Sequence, residues 1–76
     1  MSDDFLKQIS RELKLVRIEH DLSIQELSQK TGISTATICN YENNKTYLYM
    51  NKILEILSAY EDVTPIIFFN RITTKM

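Results

Sequence analysis

The sequence predicts a compact all-α domain of five helices, and three features support this prediction. Two long segments carry apolar side chains at helical spacing. Two closely spaced helix starts flank Gly32, the only glycine of the 76 residues. A Thr64-Pro65 pair marks a later helix start, with proline at the favoured first position. A chain of this length forms one domain, 1–76, and buries only about 60% of the surface that its unfolded form exposes.

Two apolar stripes predict the first and fourth helices. Side chains recur every three or four residues, as expected for one buried face of an amphipathic helix. In the first helix, expected over 5–19, the stripe consists of Phe5 or Leu6, Ile9, Leu13 and Val16. In the fourth, which starts at about Tyr49 without a clear cap, it consists of Met50, Ile53, Leu54, Leu57 and Tyr60. The two stripes are expected to close the core together.

The segment between these stripes predicts a helix-turn-helix formed by helices 2 and 3. Ser23 and Glu26 have the spacing of a capping box, in which each side chain binds a backbone N–H of the other residue. Ser34 is expected to cap the next helix, over about 35–43, and Gly32 allows the sharp turn between the two. A short third helix with an uncharged polar outer face is typical of a recognition helix in the DNA major groove.

The predicted last helix, about 64–74, is apolar around most of its circumference. We expect it to be a dimerisation element, because large exposed apolar clusters mark interfaces and small oligomers are most often two-fold dimers. The expected interface residues are Ile66, Ile67, Phe69 and Ile72. Two alternatives stay open: Ile67 and Phe68 complete the core while the others are merely exposed, or 66–72 pairs as a strand with its twin.

The charge distribution bears on nucleic-acid binding. The net charge of −1 argues against a strongly basic DNA-binding surface. From Ser28 to Leu54, however, Lys30, Lys45 and Lys52 outnumber the single acid Glu42. The sequence therefore predicts a weakly basic face and weak non-specific binding.

Several functional classes are not expected. The single Cys39 and single His20 provide neither an internal disulfide nor a metal site, and no cofactor is expected. The sequence has no glycine-rich phosphate loop and no third residue to orient a nucleophile, so we do not expect an enzyme. It has no stretch apolar enough to span a membrane, and its start is acidic, so we expect a cytoplasmic protein.

Residues between Leu13 and Leu57 also show a known pattern. The matching positions are Arg17, Leu22-Ser23, Glu26-Leu27-Ser28, Gly32-Ile33-Ser34, Ile38 and Tyr41-Glu42-Asn43-Asn44-Lys45-Thr46. With these residues the chain resembles the DNA-binding domain of the phage repressor and Cro family, an all-helical module of about five helices. The resemblance implies a salt bridge between Arg17 and Glu42, which ties the recognition helix to the first helix.

The chain departs from the family pattern at two positions, and its closing segment resembles a second group of proteins. Ile24 stands where the family often has a glutamine that contacts a phosphate, and Asn44 stands where it often has glycine. The closing segment 62–69 looks like the tail of the small controller proteins of restriction-modification systems, which dimerise through their last helix. The departures remove one expected phosphate contact but leave the fold intact.

The expected function is sequence-specific binding of double-stranded DNA by a small homodimeric transcriptional regulator. The expected base contacts are Thr35, Ala36, Cys39 and Asn40. The expected phosphate contacts are Ser23, Ile24, Gln25, Ser34, Thr37, Asn43, Asn44, Lys45 and Thr46. The alternative is a helix-turn-helix module that binds protein, as an antitoxin-like or partner-docking domain without strong DNA binding.

Overall fold

The computed structural model describes residues 3–75, and in this range the chain forms five α-helices and no strand. The helices are α1 (Asp3–Glu19), α2 (Ile24–Thr31), α3 (Thr35–Glu42), α4 (Met50–Leu57) and α5 (Pro65–Lys75). The all-α prediction is confirmed. Each helix begins within about two residues of the position that its cap or apolar stripe predicts. No helix of this range is long and apolar enough to cross a membrane.

A single core gathers the inner faces of all five helices. Its fully buried side chains include Leu13, Val16, Leu27, Ile38, Ile56, Phe68 and Ile72. Tyr60 and Val63, in the connection between α4 and α5, complete it. The apolar stripes of α1 and α4 thus contribute to one core, but Met50 and Leu54 of the predicted α4 stripe are exposed, and Ile56, which the stripe did not include, is buried.

The core includes one residue that the sequence analysis assigned to the dimer surface. Ile72 is 1% exposed, because it follows Phe68 by four residues and therefore lies on the same inward face of α5. Its assignment to the interface is wrong. Phe69 is partly buried against the core and meets Phe68 edge to face, whereas Ile66 and Ile67 are 75% and 44% exposed.

The first three helices end in residues with left-handed backbone. Gly32 has φ 77° and Asn44 has φ 56°, so both positions adopt the conformation that the sequence suggests for them. Asp21 has φ 54° at the end of α1, where the sequence gives no glycine signal. There the N–H of Leu22 donates to the carbonyl of Arg17 at 3.1 Å, which ends the helix in a Schellman turn.

Charged side chains attach α5 to α1. Glu12, whose side chain is 3% exposed, lies 2.6 Å from both Arg71 Nη2 and Lys75 Nζ. The same guanidinium reaches Glu19 at 2.8 Å. The carboxylate is thus shielded from water by two cations from the last helix.

Candidate nucleic-acid interface

The start of α2 has the predicted capping box. Ser23 Oγ accepts from the N–H of Glu26, and Glu26 Oε1 accepts from the N–H of Ser23, both at 3.0 Å. These hydrogen bonds lower the pKa of Glu26, so the carboxylate is charged at this helix end. The first N–H groups of a helix have no intrahelical acceptor, which leaves those of Ile24 and Gln25 directed outward. Ile24 packs its side chain against the core and offers only its backbone.

The start of α3 is capped by Ser34. Its hydroxyl accepts from the N–H of Thr37 at 3.2 Å and lies 2.8 Å from the Thr37 hydroxyl. At the C-terminal end of α2, the N–H of Gly32 donates to the carbonyl of Ser28 at 2.8 Å. These local bonds set where α2 stops and α3 starts.

The two faces of α3 differ sharply. Ile38 and Tyr41 are buried in the core, whereas Thr35, Ala36 and Asn40 are exposed. Because residues one turn apart share a face, the exposed side chains form one outer surface of the helix. The inner face of α3 is therefore packed against the core, and its outer face is exposed to solvent.

Cys39 is half-buried at the margin of this surface. The Asn43 amide nitrogen donates to the Cys39 carbonyl at 2.7 Å and lies 3.4 Å from its Sγ. The thiol is therefore partly covered by a neighbouring side chain. Of the four expected base-contacting residues, it is the least accessible.

An ion pair joins α3 to α1. Arg17 Nε and Nη2 donate to the two carboxylate oxygens of Glu42 at 2.8 and 3.0 Å. The third guanidinium nitrogen, Nη1, donates to the Leu22 carbonyl at 2.8 Å. The Glu42 side chain is only 3% exposed and that of Arg17 is 11% exposed, and their hydrogen bond raises the pKa of Arg17. The predicted salt bridge is present, and it also holds the turn that leads into α2.

The segment after α3 exposes four polar residues at the end of the helix. The N–H of Lys45 donates to the Asn40 carbonyl at 2.9 Å and that of Asn44 to the Tyr41 carbonyl at 3.4 Å. This Schellman turn depends on the left-handed backbone of Asn44. The exposed residues are Asn43, Asn44, Lys45 and Thr46. All four lie in or beside one ordered turn.

A polar contact that the sequence analysis missed ties α1 to the loop before α5. His20 Nδ1 donates to the Val16 carbonyl, and Nε2 donates to Asp62 Oδ1, each at 2.7 Å. The bond to Asp62, followed by that to Val16, raises the pKa of His20 and favours the imidazolium. Tyr60 packs beside the ring at 4.7 Å between centroids. Burial raises the pKa of Tyr60 to about 12. His20 and Asp62 are separated by 42 positions along the chain, so no local signal indicates this contact.

Comparison with known proteins gives the family. The helix-turn-helix family HTH_3 matches residues 13–68. Antitoxin HipB of Escherichia coli K12 is 37% identical over 54 residues, which cover 71% of this chain and 61% of the relative. Antitoxin HipB of Escherichia coli O6:H1 is 37% identical over 54 residues, covering 71% and 57%. The chain spans about three fifths of the length of these relatives, and no solved structure matches it. The chain belongs to the helix-turn-helix family, a class of DNA-binding regulators.

Proposed function

We propose that the protein is a homodimeric regulator that binds specific double-stranded DNA with α3 in the major groove. The observation that carries this proposal is the asymmetry of α3. Its inner face is held by Ile38, Tyr41 and the Arg17–Glu42 pair, while its outer face is free of the core. A short rigid helix presented in this way suits insertion into the groove.

The outer face of α3 supplies chemistry suited to base edges. Asn40 has an amide that pairs with adenine through two hydrogen bonds, and Thr35 has a hydroxyl that serves several bases. The methyl groups of Ala36 and Thr35 suit the methyl of thymine. Cys39 stays a marginal contact, because Asn43 partly covers its thiol.

Phosphate contacts come from two ends of the motif in this proposal. At the start of α2, the N–H groups of Ile24 and Gln25 are the donors, since Glu26 already occupies the N–H of Ser23. At the end of α3, Lys45 is the one cation of the exposed turn. The full proposed set is Ser23, Ile24, Gln25, Ser34, Thr37, Asn43, Asn44, Lys45 and Thr46. The Glu26 carboxylate repels a phosphate at the α2 end, so the Lys45 end is expected to contribute more of the affinity.

The exposed part of α5 is the proposed dimer surface. Ile66 and Ile67 project from the first turns of the helix, and Phe69 lies partly exposed next to them. A two-fold dimer through this surface presents two recognition helices to half-sites about 34–36 Å apart on a near-palindromic operator. The likeness of 62–69 to restriction-modification controllers stays a hypothesis within this proposal.

Selection of bound duplexes from a random pool, repeated with two variants, tests the assignment of roles. Asn40→Ala is expected to change the selected sequence, because it removes a base contact worth about 1–3 kcal/mol of discrimination. Lys45→Ala is expected to weaken binding to all sequences and to lower the salt dependence. Identical behaviour of the two variants contradicts the proposed roles.

The dimer is tested separately by Ile66→Glu, with the oligomeric mass as the measurement. Ile66 is exposed, so the variant is expected to fold, to lose the dimer and to bind a palindromic duplex more weakly. Thr73→Glu, a change at an exposed position later in α5, is the matched control. An unchanged mass for Ile66→Glu contradicts this interface.

A second candidate function follows from the names of the relatives. Both are antitoxins, so a protein partner that the chain neutralises is a reasonable alternative or additional role. Titration of random duplex over a salt series separates the two. Binding that weakens with rising salt supports DNA binding, whereas no binding even at low salt favours a purely protein-binding module.

A further inference from the structure

A surface cavity of about 280 Å³ lies between α1 and the end of α3. It is lined by Lys7, Ser10, Arg11, Glu42, Asn43 and Asn44. The helix α1 contributes half of these residues, and the turn that follows α3 contributes two. The cavity therefore adjoins the C-terminal end of α3 and the turn that contains Lys45.

The charges around this cavity favour an anion. Lys7 and Arg11 are one helical turn apart and both exposed, and none of the ion pairs among the described side chains involves either of them. Glu42 also lines the cavity, but both of its carboxylate oxygens are taken up by Arg17. Two exposed cations thus line a cavity whose one acid is already paired with Arg17.

A buried hydroxyl in the same cavity lacks a partner. Ser10 is 2% exposed, and its Oγ has no hydrogen-bond partner within the described residues. Because this oxygen has less than 1 Å² of accessible surface, a water-sized molecule in the cavity does not reach it, and we assign it no contact with a bound anion.

We propose that this cavity, the α1–α3 cradle, binds a backbone phosphate of the duplex that α3 reads. Lys7 and Arg11 neutralise the phosphate, while the amides of Asn43 and Asn44 flank it. The proposal rests on the proposed function and extends the DNA-contacting surface from the helix-turn-helix to the N-terminal half of α1. It also adds Lys7 and Arg11 to the positive charge of the segment 28–54.

The salt dependence of DNA binding tests the cradle. Each phosphate contact contributes about 0.9 to the slope of log affinity against log salt concentration. Because Lys7 and Arg11 share one phosphate, Lys7→Gln and Arg11→Gln are each expected to lower the slope by part of this amount, and the double variant by about 0.9. The selected DNA sequence is expected to stay the same, since phosphate contacts carry no sequence information.

Lys14→Gln is the matched control. It removes the same charge from an exposed position of α1 that does not line the cavity, and its slope is expected to equal that of the unmodified protein. An equal loss of slope in Lys14→Gln would show a general effect of net charge and would overturn the cradle. Thermal unfolding of each variant establishes that the fold is kept.

The outcomes also separate this inference from the function on which it rests. If the unmodified protein binds no duplex at low salt, the proposed function fails. If it binds, and Lys45→Ala lowers the slope while the Lys7→Gln/Arg11→Gln double variant does not, only the cradle fails. A lower slope in the double variant with an unchanged slope in the control supports it.

Discussion

The helix α1 holds α3 on one side and α5 on the other, and the two ionic attachments differ. Toward α3, Arg17 and Glu42 are both largely enclosed and share two hydrogen bonds. Toward α5, Glu12 is buried, but its partners Arg71 and Lys75 have side chains 26% and 47% exposed. The helix α3 is therefore attached to α1 by an ion pair that is better shielded from water than the one that attaches α5.

Because the two contacts differ in exposure, removing one partner is expected to cost more stability at the Arg17–Glu42 pair than at Glu12. Removing one partner of an enclosed ion pair leaves a charge that neither water nor another group compensates. Removing a carboxylate from partly exposed cations leaves groups that turn into solvent. The orientation of α3 should thus tolerate change less well than the attachment of α5.

The largest effect is expected for Arg17→Ala. The variant strands the Glu42 carboxylate in a site that is 3% exposed, and we expect a loss of about 3 kcal/mol in the free energy of unfolding. Chemical denaturation measures this loss, and DNA binding is expected to fall with it. Full stability together with unchanged DNA binding in this variant would contradict the structural role of the pair.

The double variant Arg17→Met/Glu42→Leu sharpens this result. Replacing both charges with apolar side chains removes the desolvation cost together with the pair, so stability is expected to recover largely. A double variant as unstable as Arg17→Ala would mean that the loss comes from packing of the Arg17 stem rather than from the stranded carboxylate.

A smaller effect is expected for Glu12→Gln. The amide keeps the shape of the side chain, Arg71 keeps its contact with Glu19, and Lys75 reaches water, so the expected loss is about 1 kcal/mol. Chemical denaturation under the conditions used for Arg17→Ala gives the comparison. A loss equal to or greater than that of Arg17→Ala would reverse the order of the two attachments.

The smallest effect is expected from the exposed His20–Asp62 contact and depends on pH. Because the pKa of His20 is raised, the stabilisation of the folded state by the charged ring is complete below the ordinary pKa of 6.5. It is lost as pH rises through the raised value. Because the pKa of Asp62 is lowered, the stabilisation of the folded state by its carboxylate is present above the ordinary pKa of 3.8. It is lost as pH falls through the lowered value. Between these limits both groups are charged.

Thermal unfolding between pH 5 and about pH 8 measures this contribution. We expect the melting temperature to decline over the upper part of this range, and Asp62→Asn to reduce that decline. An equal decline in the unmodified protein and in Asp62→Asn would show that other groups cause it.

The elements that the sequence predicts best are those coded within a few residues. The caps at Ser23 and Ser34 and the turn at Gly32 each depend on contacts within about four residues along the chain, and all three are present. The Arg17–Glu42 pair spans 25 residues, and it was expected only because the chain resembles a known family. No local pattern indicates the left-handed backbone of Asp21, which the Schellman turn at the end of α1 requires.

By itself, the sequence determined the capped starts of α2, α3 and α5, the turn at Gly32 and most of the periodic apolar positions, because capping and side-chain period are local properties of the chain. The tertiary structure decided how the helices are rotated against one another. That rotation buried Ile72 in the core, placed His20 against Asp62, and set Lys7 and Arg11 beside the turn that follows α3. These placements depend on the simultaneous packing of five helices around one core, which no short segment specifies.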